Sequence, residues 1–233
     1  MMICIPITAR TQDGALMQMG KSFPLADILE LRIDQIGNVN LEKLMSKKRG
    51  KILVTNRRKD EGGGFSGTER DRVELLKEAV ALGADYVDIE LRTEEALIKE
   101  VSAKIRNNHG RTKWIISYHD LTVTPSERAL RMKLDECTGT GADITKIVTY
   151  AKRMEDNLRV LGLIPYARRK ELEIIAFCMG EMGRMSRIMA SLLGSYLGYA
   201  SLEKGAESAP GQLTIEEMKL IFEVLNGPRV NKP

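Results

Sequence analysis

Short β-type runs alternate with longer amphipathic stretches along the 233 residues, and this alternation constrains the fold more than any single motif. The runs Ile3–Ile7, Ile28–Ile33, Lys51–Thr55, Tyr86–Leu91, Trp114–Tyr118, Asp143–Val148, Glu173–Cys178 and Tyr196–Ser201 read as strands. Helical periodicity fills most of the gaps. Residues 70–82 put Val73, Leu76 and Val80 on one face, with Leu75 and Ala79 beside them. Residues 94–107 repeat Leu97, Val101 and Ile105 at spacings of four. Thr124 before Pro125 reads as a cap and a first-turn proline. Thr214, with Glu216 and Glu217 behind it, reads as the start of the last helix. Eight strands with helical crossovers predict a closed (β/α)8, or TIM, barrel. A doubly wound open sheet is the competing arrangement. It lacks its expected support, because no GxGxxG follows the first strand. Gly62-Gly63-Gly64 is followed by no Lys-Ser/Thr pair and is no phosphate-binding loop.

No linker divides the chain, so residues 1–233 are expected to form one domain. A core of this size stands without disulfides or structural metal. The apolar fraction of 43% and charged fraction of 29% fit a soluble globular chain. The formal charge is +4, and the basic residues are interleaved with acids rather than gathered in a block. That mild excess is weak evidence for a nucleic-acid partner, and none is expected; it fits a small anionic substrate equally well. Cys4, Cys137 and Cys178 are far apart and form no CxxC pair, and only two histidines are present. Neither a conventional zinc site nor any other resident metal or cofactor is expected; reduced, buried thiols in a cytoplasmic protein are. The first apolar run lacks a basic segment before it and is too short to span a membrane. It is read as a strand, with no room before it for a regulatory domain.

Strand parity then sorts the polar residues. In Glu30-Leu31-Arg32-Ile33-Asp34 the charged residues are even-numbered and the apolar ones odd-numbered. In a barrel the apolar set meets the outer helices, so Glu30, Arg32 and Asp34 face inward or toward the mouth. Val87-Asp88-Ile89-Glu90-Leu91-Arg92 repeats the split, and Ser117 and His119 share a parity. Lys146 lies inside Ala142-Asp143-Ile144-Thr145-Lys146-Ile147-Val148, sharing its parity with Ile144 and Val148. A lysine in a strand interior is costly to desolvate unless it has a partner or a task. Burial disfavours the charged form of a lysine and frees a nucleophilic amine.

An inward lysine and histidine without a metal or cofactor motif point to Schiff-base chemistry on a ketone. The amine condenses with the carbonyl, the iminium acidifies the neighbouring carbon, and a histidine removes its proton. Retro-aldol cleavage, transaldolisation and dehydration share this opening, and residue types do not separate them. A class I aldolase or transaldolase, or a noncatalytic barrel that binds anionic metabolites, stays open at this point.

Six segments in order carry a resemblance. They are Glu30-Leu31-Arg32-Ile33-Asp34; Thr55-Asn56-Arg57 with Glu61-Gly62-Gly63; Ser117-Tyr118-His119-Asp120; Ala142-Asp143-Ile144-Thr145-Lys146-Ile147; Met179-Gly180-Glu181-Met182-Gly183-Arg184-Met185-Ser186-Arg187; and Ser208-Ala209-Pro210-Gly211-Gln212. Together they resemble type I 3-dehydroquinate dehydratase, the shikimate-pathway hydro-lyase, over essentially the whole chain. Three glycines follow Glu61 where the family pattern has two, and the approach to the lysine strand is glycine-rich. The resemblance implies a Schiff base between Lys146 and the C3 ketone of 3-dehydroquinate. His119 would take the C2 proton and help expel the C1 hydroxyl as water, in a syn elimination to 3-dehydroshikimate. Glu61 would orient and tune the histidine. Arg187 would hold the substrate carboxylate, with Glu30, Arg32 and Arg57 lining the pocket and Met179 packing on the ring. Ser208 and Gln212 would belong to a loop, residues 203–213, that covers the substrate. The family also implies a homodimer. Taken alone, Met179 reads as core packing, Ser208 and Gln212 as turn residues, and Arg187 as a helical arginine near an anion-favouring helix start.

Overall fold

The computed structural model describes residues 2–108 and 111–226. Met1, residues 109–110 and residues 227–233 of the expected 1–233 domain lie outside the described residues. The chain begins with β1 (Ile3–Ile7), α1 (Gln12–Ser22), β2 (Ile28–Arg32), α2 (Leu41–Met45), β3 (Lys51–Thr55) and α3 (Glu69–Ala81). It continues with β4 (Tyr86–Glu90), α4 (Glu95–Asn107), β5 (Lys113–His119), α5 (Glu127–Gly139), β6 (Ile144–Tyr150), α6 (Asp156–Leu161) and α7 (Leu163–Arg168). Last come β7 (Glu173–Met179), α8 (Arg184–Leu193), β8 (Gly198–Ser201), β9 (Leu213–Thr214) and α9 (Ile215–Asn226).

All strand pairs are parallel, and each of β2 to β7 lies beside its predecessor in sequence, with β8 beside β1. At the closure the Tyr196 N–H, just before β8, donates to the Ile174 carbonyl of β7 at 2.7 Å. The result is the expected (β/α)8-type barrel rather than an open doubly wound sheet. Odd-numbered Leu29 and Leu31 of β2 are buried, together with Val73, Leu76 and Val80 of α3 and Leu97, Val101 and Ile105 of α4. Each such side chain contributes about 1.5–3 kcal/mol by leaving water, so this shell holds the barrel closed. Cys4, Cys137 and Cys178 are buried free thiols.

The boundaries differ from the sequence expectations in physical detail. β2 ends at Arg32, and Ile33–Gln35 turn as a 3₁₀ segment. β5 is longer than expected and carries His119 as its last residue. The helix after Pro125 is capped by Ser126, whose Oγ accepts from the Ala129 N–H. Thr124 is not its cap; its hydroxyl donates to the Tyr150 carbonyl at 2.9 Å and meets Thr149 Oγ1. Thr214 does cap the last helix: its Oγ1 accepts from the Glu217 N–H, and the Glu217 carboxylate accepts from the Thr214 N–H. The two-residue β9 beside β8 is too short to leave a period in the sequence.

Candidate active site

Parallel register stacks the inward residues at the C-terminal ends of the strands. Ser117 of β5 is level with Lys146 of β6, and His119 is level with Val148. Asp88 and Glu90 of β4 are level with Ile115 and Ser117. Of these, His119, Lys146 and Val148 line a cavity of about 180 Å³. Of the residues expected from sequence, Glu30, Arg32, Arg57, Glu61, His119, Lys146, Met179, Arg187 and Ser208 all line it. Gln212 does not. Its Oε1 accepts from the Ser208 N–H and hydroxyl at 2.7 and 3.1 Å, while its Nε2 is buried without a partner. It therefore braces the 203–213 loop instead of facing the cavity.

Lys146 is buried but not alone. Its Nζ lies 3.1 Å from Asp88 Oδ2, 3.2 Å from the Tyr199 hydroxyl and 3.8 Å from Glu30 Oε1. Glu30 Oε1 itself accepts from Thr55 Oγ1 at 2.7 Å. Asp88 is also gripped by Arg57 through two contacts of 2.9 and 2.8 Å, and by Ser117 Oγ at 2.6 Å. Burial opposes charge on Asp88, but Arg57 and then Lys146 outweigh it and hold the carboxyl well below the usual carboxylate range. Arg57 also meets Glu90 at 2.8 Å, and Arg72 of α3 reaches Glu90 Oε2 at 2.7 Å. The chain of alternating charges from Arg72 to Lys146 is buried throughout. Breaking one buried link of this kind costs about 3–5 kcal/mol, because a desolvated charge is left behind. Arg57 thus spends its donors on β4 and β5 rather than on the cavity, and Arg32 pairs with Asp34 at 2.8 Å.

His119 has a fixed orientation. Its Nδ1 lies 2.8 Å from Glu61 Oε2, and its backbone N–H donates to the same oxygen at 3.0 Å. Burial, then Arg57 and Lys146, push the imidazole well below its ordinary pKa, so at neutral pH it is uncharged. A neutral ring that donates Nδ1–H to Glu61 leaves Nε2 with its lone pair, and among the described residues Nε2 makes no hydrogen bond. Glu61 reaches this place because the chain folds tightly over Arg57: a Cβ on Gly63 would lie 1.9 Å from the Arg57 carbonyl oxygen. Burial, only partly offset by Arg57, raises the Glu61 carboxyl to about 7.

That shift has a sign. A carboxyl raised from 4.5 to about 7 on folding makes the folded state hold its proton more tightly, so its stabilising contribution is complete below pH 4.5 and lost as pH rises through about 7. Glu61→Gln removes this dependence. The melting temperature of the variant relative to the parent is expected to rise between pH 5 and pH 8, as followed by thermal denaturation; a constant difference would contradict the shift.

Arg187, on α8, is buried, yet no acid pairs with it among the described residues. Its Nη2 donates to the Pro210 carbonyl at 3.2 Å, its plane lies 4.7 Å from the centre of the Phe177 ring, and its Nε is buried without a partner. Burial draws its pKa down to about 10. A desolvated guanidinium with an open donor fits a carboxylate or another small anion. The Pro210 carbonyl also accepts from the Gly180 N–H, and the tight approach of Gly211 to the Gly180 carbonyl, at a φ of 77°, leaves no room for a Cβ. The loop of residues 203–213 therefore sits over Arg187, with Ser208, Ala209 and Pro210 in the cavity wall.

Sequence reasoning left out Asp88, Phe177 and Tyr199 as site residues. Asp88 carried the inward parity but lies in none of the six segments that carry the resemblance. Phe177 and Tyr199 carried only ordinary strand character, and their signal was parity with Met179 and with Ser201. Among the described residues no cluster of His, Cys, Asp and Glu has a metal-ligating arrangement, and no helix is long and apolar enough to cross a membrane.

A family model described as Type I 3-dehydroquinase matches residues 3–228. A 3-dehydroquinate dehydratase of Desulfotalea psychrophila is 38% identical over 220 residues, which are 94% of this chain and 96% of that protein. The crystal structure of 3-dehydroquinate dehydratase from Geobacillus kaustophilus superposes with a TM-score of 0.88 at 26% identity, over 97% of this chain and 91% of that one. A structure of the type I enzyme from Clostridium difficile, described as containing covalently modified comenic acid, gives 0.86 at 26% identity over 96% of this chain and 91% of that one.

Proposed function

Because this chain belongs to the type I 3-dehydroquinase family, whose members are hydro-lyases of the shikimate pathway, we propose that it converts 3-dehydroquinate to 3-dehydroshikimate through an imine on Lys146. One observation carries the reading: a single cavity joins a buried amine, a neutral imidazole and a guanidinium, and among the described residues the imidazole Nε2 has no hydrogen bond and the guanidinium no acid. The substrate's carboxylate meets Arg187, which orients the ring toward Lys146. Nζ adds through its lone pair to the C3 ketone, and loss of water gives the iminium. The iminium draws electrons from the C2–H bond, and His119 Nε2 takes that proton. The same imidazole, now protonated, gives the proton to the C1 hydroxyl as it departs, so both leave the same face. Glu61 holds Nδ1–H and supports the transient imidazolium. Hydrolysis of the conjugated iminium frees Lys146. Asp88 stays a carboxylate and steadies the cationic states of the lysine, while Met179 packs against the ring. Ser208 closes the cavity with its loop, braced by Gln212, over the bound substrate. The homodimer and the cytoplasmic location rest on the family alone; light scattering at twice the chain's mass checks the first.

Two measurements test the reading. Incubation with 3-dehydroquinate should build the ultraviolet absorbance of a conjugated enone; cleavage of a phosphorylated sugar with 3-dehydroquinate untouched would contradict it. Arg187→Ala should raise KM about 10- to 100-fold, since a charge-assisted hydrogen bond is worth about 1.5–3 kcal/mol. An unchanged KM would remove Arg187 from the carboxylate site.

A further inference from the structure

Among the described residues, Tyr199 is the one hydrogen-bond partner of Lys146 Nζ that has a proton to give. Among the described residues, the amine's ion-pair and hydrogen-bond partners are three side chains. Asp88 is held as a carboxylate by Arg57, so it carries no proton. Glu30 Oε1 is 3.8 Å away, beyond hydrogen-bond reach. The Tyr199 hydroxyl is at 3.2 Å, and among the described residues its oxygen makes no other hydrogen bond. Its own proton is thus free to meet what enters the cavity, which Tyr199 lines. The ring is fixed by packing: its centre lies 5.7 Å from that of Phe177 and 4.6 Å from Lys146 Nζ. His119 is level with Val148 rather than Lys146, one inward position nearer the mouth, where its Nδ1 is committed to Glu61.

We propose that Tyr199 is a catalytic residue that relays two protons while Lys146 adds to the substrate ketone. The proposal rests on the Schiff-base reading of the site. The Nζ lone pair forms the new N–C bond, and the carbonyl π electrons move to oxygen. The phenol O–H proton passes to that oxygen as a proton of the new ammonium passes from Nζ to the phenol oxygen. The product is a neutral carbinolamine, and Tyr199 ends as it began. No free phenolate forms, which suits a hydroxyl whose pKa is pushed well above its ordinary value by burial and by the nearby Glu30. His119 is left to the C2 proton and the departing water. Collapse of the product carbinolamine runs the same relay in reverse.

Tyr199→Phe removes the hydroxyl and keeps the ring contacts. Rapid mixing with 3-dehydroquinate, quenched in borohydride and read by mass spectrometry, gives the rate of adduct formation. The variant is expected to form the adduct about 100-fold or more slowly than the parent, in line with general acid–base contributions. Its deuterium isotope effect for C2–H cleavage on kcat should fall toward 1, since addition then limits turnover. Equal adduct rates in parent and variant, or a lower kcat with the isotope effect intact, would overturn the relay and leave Tyr199 a packing residue. Absence of any adduct in the parent would instead overturn the Lys146 reading. If the variant does not fold, the parent supplies the test. Two protons in flight give a bowed dependence of the addition rate on solvent deuterium fraction; a linear dependence would contradict the relay.

Discussion

Replacing Lys146 by alanine should lower kcat by about 10⁴- to 10⁶-fold, the scale for loss of the nucleophile from a covalent mechanism. The fold should survive. Asp88 keeps two contacts to Arg57 and one to Ser117 when the ammonium is gone, so no buried carboxylate is left bare. Lys146→Arg separates the two roles of the residue. It restores a cation beside Asp88 but cannot form an imine, and it should be as inactive as the alanine variant. Steady-state turnover with circular dichroism as a folding control measures both. Normal dehydration by either variant would end the imine account.

Replacing His119 by alanine should reduce kcat by about 10²- to 10⁴-fold, the usual range for a general acid–base group. Here the imine should still form, because Lys146 does not depend on His119 for its contacts. The covalent adduct should therefore accumulate under borohydride while product does not appear. That split between trapping and turnover distinguishes the two residues. The parent has a matching pH signature. Burial, Arg57 and Lys146 keep His119 neutral well below its ordinary range, so the acid limb of kcat/KM should lie below pH 6.5. A variant at position 119 with parental kcat would remove the histidine from the proton transfers.

The barrel was legible because strand and helix periods differ, and β2 separates charged and apolar residues by parity alone. Parity alone also turns Glu30, His119 and Lys146 inward. Partnerships were not legible. Lys146 and Asp88 are 58 positions apart, and Asp88 meets Arg57 from 31 positions away. Only closure of the barrel decides that Arg57 serves Asp88 and Glu90 and that Arg187 keeps a donor open. Gln212 illustrates the limit of motif reading. It sits in a segment that reaches the cavity, yet local hydrogen bonds to Ser208 turn its carboxamide oxygen into a loop brace. Tyr199 went unseen for a different reason: a tyrosine in a strand is ordinary, and only its distance to Nζ makes it chemical. Ser126 rather than Thr124 caps α5 because the Thr124 hydroxyl has stronger calls on it from β6, at Thr149 and the Tyr150 carbonyl.

The central claim is that Lys146 becomes covalently joined to the substrate. Incubation of the full chain with 3-dehydroquinate and borohydride, followed by proteolysis and mass spectrometry, tests it most directly. The account predicts one substrate-derived mass, located on the peptide that contains Lys146 and absent from Lys146→Ala. Turnover to the enone with no such mass on Lys146, or with the mass on another lysine, would contradict it.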